Sequence, residues 1–224
     1  MHTHFKNGYS TLKRIANTII DFIFPEPPVT KSVRAFTDVD FATLPQATTP
    51  QQEHVYSLWN YQNPLVKEII WQIKFYENDA LVRKTAPYLK DLIYTILFDD
   101  VLSESRSYIM IPIPISKQRR KERGYNQSEY IAQETCNLLN TTDITYNPSL
   151  LIKHKETKHQ TGESRKSRLM CLKDSFKVTD ANLLHGKNII LIDDVVTTGA
   201  TLKEAVDTLR KSGARTIICF TLAH

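Results

Sequence analysis

The chain has 224 residues, 41% of them hydrophobic and 24% charged, which is enough to bury one good core with some extra structure. Its net charge is +5, and no apolar run reaches the roughly 18 residues that a membrane-spanning helix needs. Its three cysteines, Cys136, Cys171 and Cys219, form no C-x-x-C pair, so no structural zinc is expected and all three suit a reducing cytoplasm as small buried side chains.

Leu12, Ile15, Ala16, Ile19, Ile20 and Ile23 form an apolar stripe interrupted by Lys13, Arg14, Asn17, Thr18 and Asp21. This predicts a helix docked on the protein's own surface, neither a membrane span nor a signal peptide. Residues 25–54 hold five prolines among threonines and valines, without helical period, and read as a linker or loosely packed arm. The first unit is therefore residues 1–55, and the main domain is 56–224.

From Tyr56 to Asp100 the pattern is mostly helical. Leu65, Ile69, Ile70 and Ile73 share one face, and Leu89, Leu92, Ile93, Ile96 and Leu97 another. Residues 56–107 are expected to cover the edge of a sheet as a helical hood, with Trp59, Tyr61, Trp71, Phe75 and Tyr76 in the core. The α/β core then runs over 108–224.

Tyr108 to Ile115 is an apolar strand carrying Pro112-Ile113-Pro114. A strand end broken by prolines and a stiffened anion-binding turn explain that tripeptide about equally well. Lys117 to Arg123 follows with net charge +4, and then a helix opened by Asn126, with Glu129 three residues on as in a capping box. Ile131, Ala132, Cys136, Leu138 and Leu139 are its expected buried face. After the short apolar stretch Leu150 to Ile152, the segment Lys153 to Arg168 again carries +4 and contains Gly162, as a mobile lid would. These two runs hold +8 of a chain whose total is +5, so the basicity is local.

Ile189 to Ile192 is a continuous apolar run, suited to a strand covered on both faces. Asp193-Asp194-Val195-Val196-Thr197-Thr198-Gly199-Ala200-Thr201 follows directly. Leu202, Ala205, Val206 and Leu209 then mark one face of a helix ending near Gly213, before a last strand from Thr216 to Leu222. This βαβ unit places the loop Val195 to Ala200 where such folds bind ligands. Backbone N–H groups beside Gly199 and the hydroxyls of Thr197, Thr198 and Thr201 suit a phosphate monoester. Asp193 and Asp194 would repel that phosphate, so they should face sugar hydroxyls or a hydrated Mg²⁺. The sum is a ribose-phosphate site.

The Asp193 to Thr201 run resembles the phosphoribosyl pyrophosphate (PRPP) motif of type I phosphoribosyltransferases. Pro112-Ile113-Pro114 with Arg119-Arg120-Lys121-Glu122-Arg123-Gly124-Tyr125-Asn126-Gln127 is similar to the signature of the ComF/GntX family, phosphoribosyltransferase-like proteins linked with natural competence. Thr157, Gln160-Thr161-Gly162, Arg165, Arg168 and Phe176 sit in that family's order, and Lys74-Phe75 supports the alignment. The four-cysteine zinc module common in the family is missing. The resemblance implies a type I phosphoribosyltransferase-like parallel sheet flanked by helices, with a helical N-terminal hood.

It also implies roles. Asp193 and Asp194 would hold the ribose hydroxyls and stabilise charge at the anomeric carbon, with Val195, Val196, Thr197, Thr198, Gly199, Ala200 and Thr201 around the 5′-phosphate. Pro114, Arg119, Arg123, Gly124, Asn126 and Gln127, with Thr157, Lys158, Gln160 and Arg165 of the flexible loop, would line the pyrophosphate. Mg²⁺ would enter with PRPP, with no direct protein ligand assigned. Three readings stay open: a ComF-type factor for DNA uptake, contacting single-stranded DNA and competence proteins; an active phosphoribosyltransferase; or a sensor of PRPP or a nucleotide.

Overall fold

The computed structural model describes residues 27–48, 53–101, 107–155 and 173–224. Its framework is a five-stranded, all-parallel sheet of β1 (Val55–Trp59), β2 (Tyr108–Pro112), β3 (Ile144–Tyr146), β6 (Asn188–Val195) and β7 (Thr216–Ala223), in the order β1-β7-β6-β2-β3. The strands β4 (Leu151–Lys153) and β5 (Phe176–Val178) pair separately and antiparallel. Parallel strands bury both faces, and β6 does so from Asn188 to Asp194.

Alternate residues of β6 enter two cores. Ile190 and Ile192 join Met110, Phe220 and Leu222 on one side, and Ile189 and Leu191 join Ile111, Ile217 and Cys219 on the other. The first face is covered by α3 (Pro64–Phe75), α4 (Asp79–Val101) and α6 (Gln127–Leu139). The second is covered by α8 (Ala200–Lys211), the β4–β5 pair and the short α7 (Ala181–Leu184). Leu202, Ala205 and Leu209 of α8 are buried, with Val206 packed against them, as the helical spacing predicts. The remaining α5 (Lys117–Arg123) buries none of its residues.

Five expectations need correction. The first turns of the hood region are a strand: β1 lies parallel to β7 at the sheet edge, where its aromatic and β-branched side chains fit better than in a helix. The hood helices therefore cover a face of the sheet and leave its edge to β1. Residues 27–48 are no loose arm: α1 (Pro28–Arg34) and α2 (Asp38–Ala42) deliver Val33, Phe36, Phe41 and Leu44 into the first core. Apolar residues too few for a periodic pattern still bury well when short helices present them one or two at a time.

Trp71, Phe75 and Tyr76 are the fourth correction, standing 45%, 52% and 58% exposed while Trp59 is buried. They extend past the face of α3 on which Val66, Ile69, Ile70 and Ile73 pack. Leu138 likewise falls outside the buried face of α6. The apolar stripe of Leu12 to Ile23 lies outside the described residues. Among those described, no helix is long and apolar enough to cross a membrane.

Phe41 is fully buried, edge-to-face with Phe36 at 5.4 Å and near Trp59 at 5.9 Å. Phe41→Ala is expected to lower unfolding free energy by about 3–5 kcal/mol, measured by urea denaturation; a dispensable arm would leave the midpoint unchanged.

Candidate functional site

Topology places the site before any side chain is considered. From β2 the chain winds through α6 to β3 on one side, and from β6 through α8 to β7 on the other. The winding reverses between β2 and β6, and the carboxyl ends flanking such a switch point are where open α/β sheets bind ligands. Pro112 is in register with Ile192, so Ile113-Pro114 and Asp193-Asp194 emerge side by side.

Asp193 and Asp194 are 8% and 3% exposed. Asp193 Oδ1 accepts the Ser128 hydroxyl at 2.9 Å and the Asp194 N–H at 3.0 Å. Asp194 Oδ1 accepts the Val195 N–H, and the Lys74 ammonium lies 3.1 Å from its Oδ2. Asp193 Oδ2 has no protein hydrogen bond among the described residues. Burial, and next the neighbouring Asp194 charge, push the Asp193 carboxyl up to about 7, against the opposing pull of Ser128 and Lys74.

The loop after β6 begins pinned, with Val196 N–H on Ala223 O at 3.0 Å. Gly199 takes a left-handed φ of 72° as the N-cap of α8 and supplies no side-chain cap. The nearest hydroxyl, Thr198 Oγ1, is a long 3.5 Å from Ala200 N. The first turn of α8 therefore presents backbone donors and partial positive charge to the loop, in or beside which Thr197, Thr198 and Thr201 stand.

On the β2 side, Ile113 N–H is taken by Ile192 O at 2.8 Å and the flanking prolines have no N–H, so backbone donors for an anion can begin only at Ile115. The peptide bonds around Pro112-Ile113-Pro114 are trans. Ser116 caps α5, whose basic residues are followed by Gly124 at φ 85°. Asn126 is buried, caps α6 through Ser128 N–H and donates Nδ2–H to Ile113 O at 3.0 Å, while Gln127 is buried beside Arg123. Asn126 and Gln127 hold the loop's frame, and Arg119, Arg123 and Lys117 carry its charge. Thr157, Lys158, Gln160 and Arg165 lie outside the described residues.

Sequence reasoning did not assign Ser128, the carboxylate partner of Lys74, or Tyr125. The Tyr125 hydroxyl donates to Ile73 O and accepts the Glu77 N–H, tying the loop after β2 to the end of α3. A hydroxyl two residues beyond the capping Asn126 was the only local signal for Ser128. Cys219 lies under the site, pushed up to about 12 by burial and then by Asp193, and burial also raises Cys136, so neither serves as a thiolate.

Among the described residues no three His, Cys, Asp or Glu side chains cluster to cage a metal. Two carboxylates beside an anion loop do fit Mg²⁺, which is held by one or two carboxylates together with ligand phosphates and water.

A family model for the phosphoribosyl transferase domain matches residues 127–224, from α6 to the end of β7. The chain is 32% identical over 167 residues to competence protein ComFC of Bacillus subtilis, covering 74% of this chain and 62% of that protein. To competence protein F of Haemophilus influenzae it is 34% identical over 116 residues, covering 51% and 49%. It thus spans about half to three fifths of the length of these relatives. A hypoxanthine phosphoribosyltransferase structure from Staphylococcus aureus aligns over 62% of each chain at 11% identity, with a TM-score of 0.41.

The parallel sheet, its switch-point carboxylates and the matched domain define a type I phosphoribosyltransferase-like protein. Within that class the competence-protein relatives make the chain a member of the ComF family. Proteins of the phosphoribosyltransferase fold generally use Mg²⁺ with PRPP.

The Asp193 shift fixes a pH dependence. Its carboxyl rises from 3.8 to about 7 on folding, so the folded state holds the proton more tightly and the group lowers stability as pH climbs through that window. Asp193→Asn should raise Tm by an increment that grows between about pH 4 and 7 and is constant above. Thermal melts at pH 4.5, 6 and 7.5 would overturn this if the two proteins ran parallel.

Proposed function

We propose that the protein binds Mg²⁺-PRPP across the ends of β2 and β6 and acts in the cytoplasm in DNA uptake during natural transformation. The observation that carries the ligand is the buried Asp193–Asp194 pair beside a helix N-terminus without a side-chain cap. Vicinal ribose hydroxyls suit Asp193, whose Oδ2 is open, and the first turn of α8 suits the 5′-phosphate. Lys74 pairs with Asp194 in the buried site, and Ser128 orients Asp193. When bound, Mg²⁺ supplies the charge that offsets the pyrophosphate, and the cations of α5 add to it. The competence role rests on the relatives' names and on the local basicity, which suits a nucleic-acid backbone.

A second reading, transfer of the ribose phosphate to a nitrogen nucleophile, is favoured by a cavity of about 740 Å³ that shares Val196, Thr197 and Thr198 with the loop. Tyr88, Asp91 and His224 are among the polar residues of its wall, with Gln46, Ser57 and Thr95. Pyrophosphate release on adding candidate acceptor bases is the assay for it.

Calorimetric titration with Mg²⁺-PRPP should show binding by the wild type and at least about a tenfold loss in an Asp193→Asn, Asp194→Asn variant, which keeps the volume and removes both charges. No binding by the wild type overturns the ligand, and equal binding by both overturns the placement.

A further inference from the structure

The three exposed aromatic side chains at the end of α3 form one cluster. Trp71 lies 5.5 Å from Phe75 at an interplanar angle of 58°, and 5.5 Å from Tyr76 at 76°. About half of each residue's surface is in water. Leaving three large rings together and wet forgoes a sizeable hydrophobic gain, and grouped exposed apolar surface marks an interaction site. The cluster adjoins the basic helix, since the Arg123 guanidinium sits over the Phe75 ring at 5.0 Å. Lys117, Arg120 and Lys121 are exposed on that helix, which buries no residue. Tyr125 fixes the two elements together through Ile73 and Glu77.

Flat rings beside a net +4 helix are complementary to a polyanion that carries its own rings. We infer that Trp71, Phe75 and Tyr76 are a stacking platform for unpaired bases of single-stranded nucleic acid, with α5 following its phosphates. Single strands offer base faces that a duplex keeps in its own stack, and aromatic side chains with a cationic groove are the usual means of holding them. The carboxylates here, Glu77 after Tyr76, Glu122 on α5 and Glu129 paired with Arg120, are outnumbered by the five cations of α5, so the surface is net basic. The inference extends the DNA-uptake reading by giving the DNA contact a surface separate from the Asp193–Asp194 pair.

The test is fluorescence anisotropy of a labelled oligo-dT of about twenty nucleotides, long enough for one such site, with the full chain and with Trp71→Ala, Tyr76→Ala, which leaves the ring under Arg123 in place. Both residues are half in solvent, so the variant should fold, and its melting curve and Mg²⁺-PRPP titration serve as checks. The expected result is at least about a tenfold loss of oligo-dT affinity, with duplex DNA binding and PRPP binding unchanged. Wild-type affinity in the variant overturns the platform, as does a wild type that does not bind oligo-dT at low salt. A shift from oligomer to monomer in the variant overturns it too, in favour of an interface between copies. Failure of the PRPP titration alone strikes the ligand reading and leaves the platform standing.

Discussion

Two adjacent carboxylates buried at the end of a central strand are the constraint around which the fold is arranged. Desolvating both would be prohibitive without compensation. Lys74 comes from α3, the Ser128 hydroxyl from the start of α6, and the backbone N–H groups of Asp194 and Val195 from β6 itself. Three separate elements thus converge on one acidic point. The compensation is incomplete, because Asp193 still resists ionisation near neutrality. A site that holds charge under tension without a ligand is ready to gain from hydroxyl donors or a cation.

The two sides of the switch point divide the labour. On the β6 side the geometry is backbone: Gly199 turns the chain and α8 offers its donors. On the β2 side it is side-chain charge on a helix that buries nothing, steadied by Asn126 and Tyr125 beneath. The rigid half suits a ligand of fixed shape, and the solvated half suits one whose charge matters more than its outline.

How much could be read in the sequence follows from range. The β6–loop–α8 unit was readable because strand, anion loop and helix are contiguous, and the change of period from continuous to 3.6 occurs within a dozen residues. The capping of α6 by Asn126 was readable for the same reason. β1 was not, since five residues without alternation fit strand and helix alike until β7 is known to lie beside them. Lys74 and Ser128 meet the aspartates only through tertiary packing, which leaves no periodic trace. Large rings usually go to the core, which is why the sequence places Trp71 and Phe75 there; their spacing from Ile70 and Ile73 puts them at the rim of the buried face.

The pairing of β1 with β7 has a bearing on synthesis. Ser57 and Thr221, which share a hydroxyl hydrogen bond at 2.7 Å, are 164 residues apart in sequence. The neighbouring backbone bond from Tyr61 N–H to His224 O spans a similar distance along the chain. A nascent chain therefore carries Val55 to Trp59 through the synthesis of the 164 residues that separate Ser57 from Thr221 with no strand to lie against, a stretch of aromatic and β-branched residues open to mispairing. The residues just before it limit that exposure: Ala47 N–H bonds to Leu58 O and Asn60 N–H to Pro45 O, so one edge of β1 can be closed by a local turn before β7 leaves the ribosome.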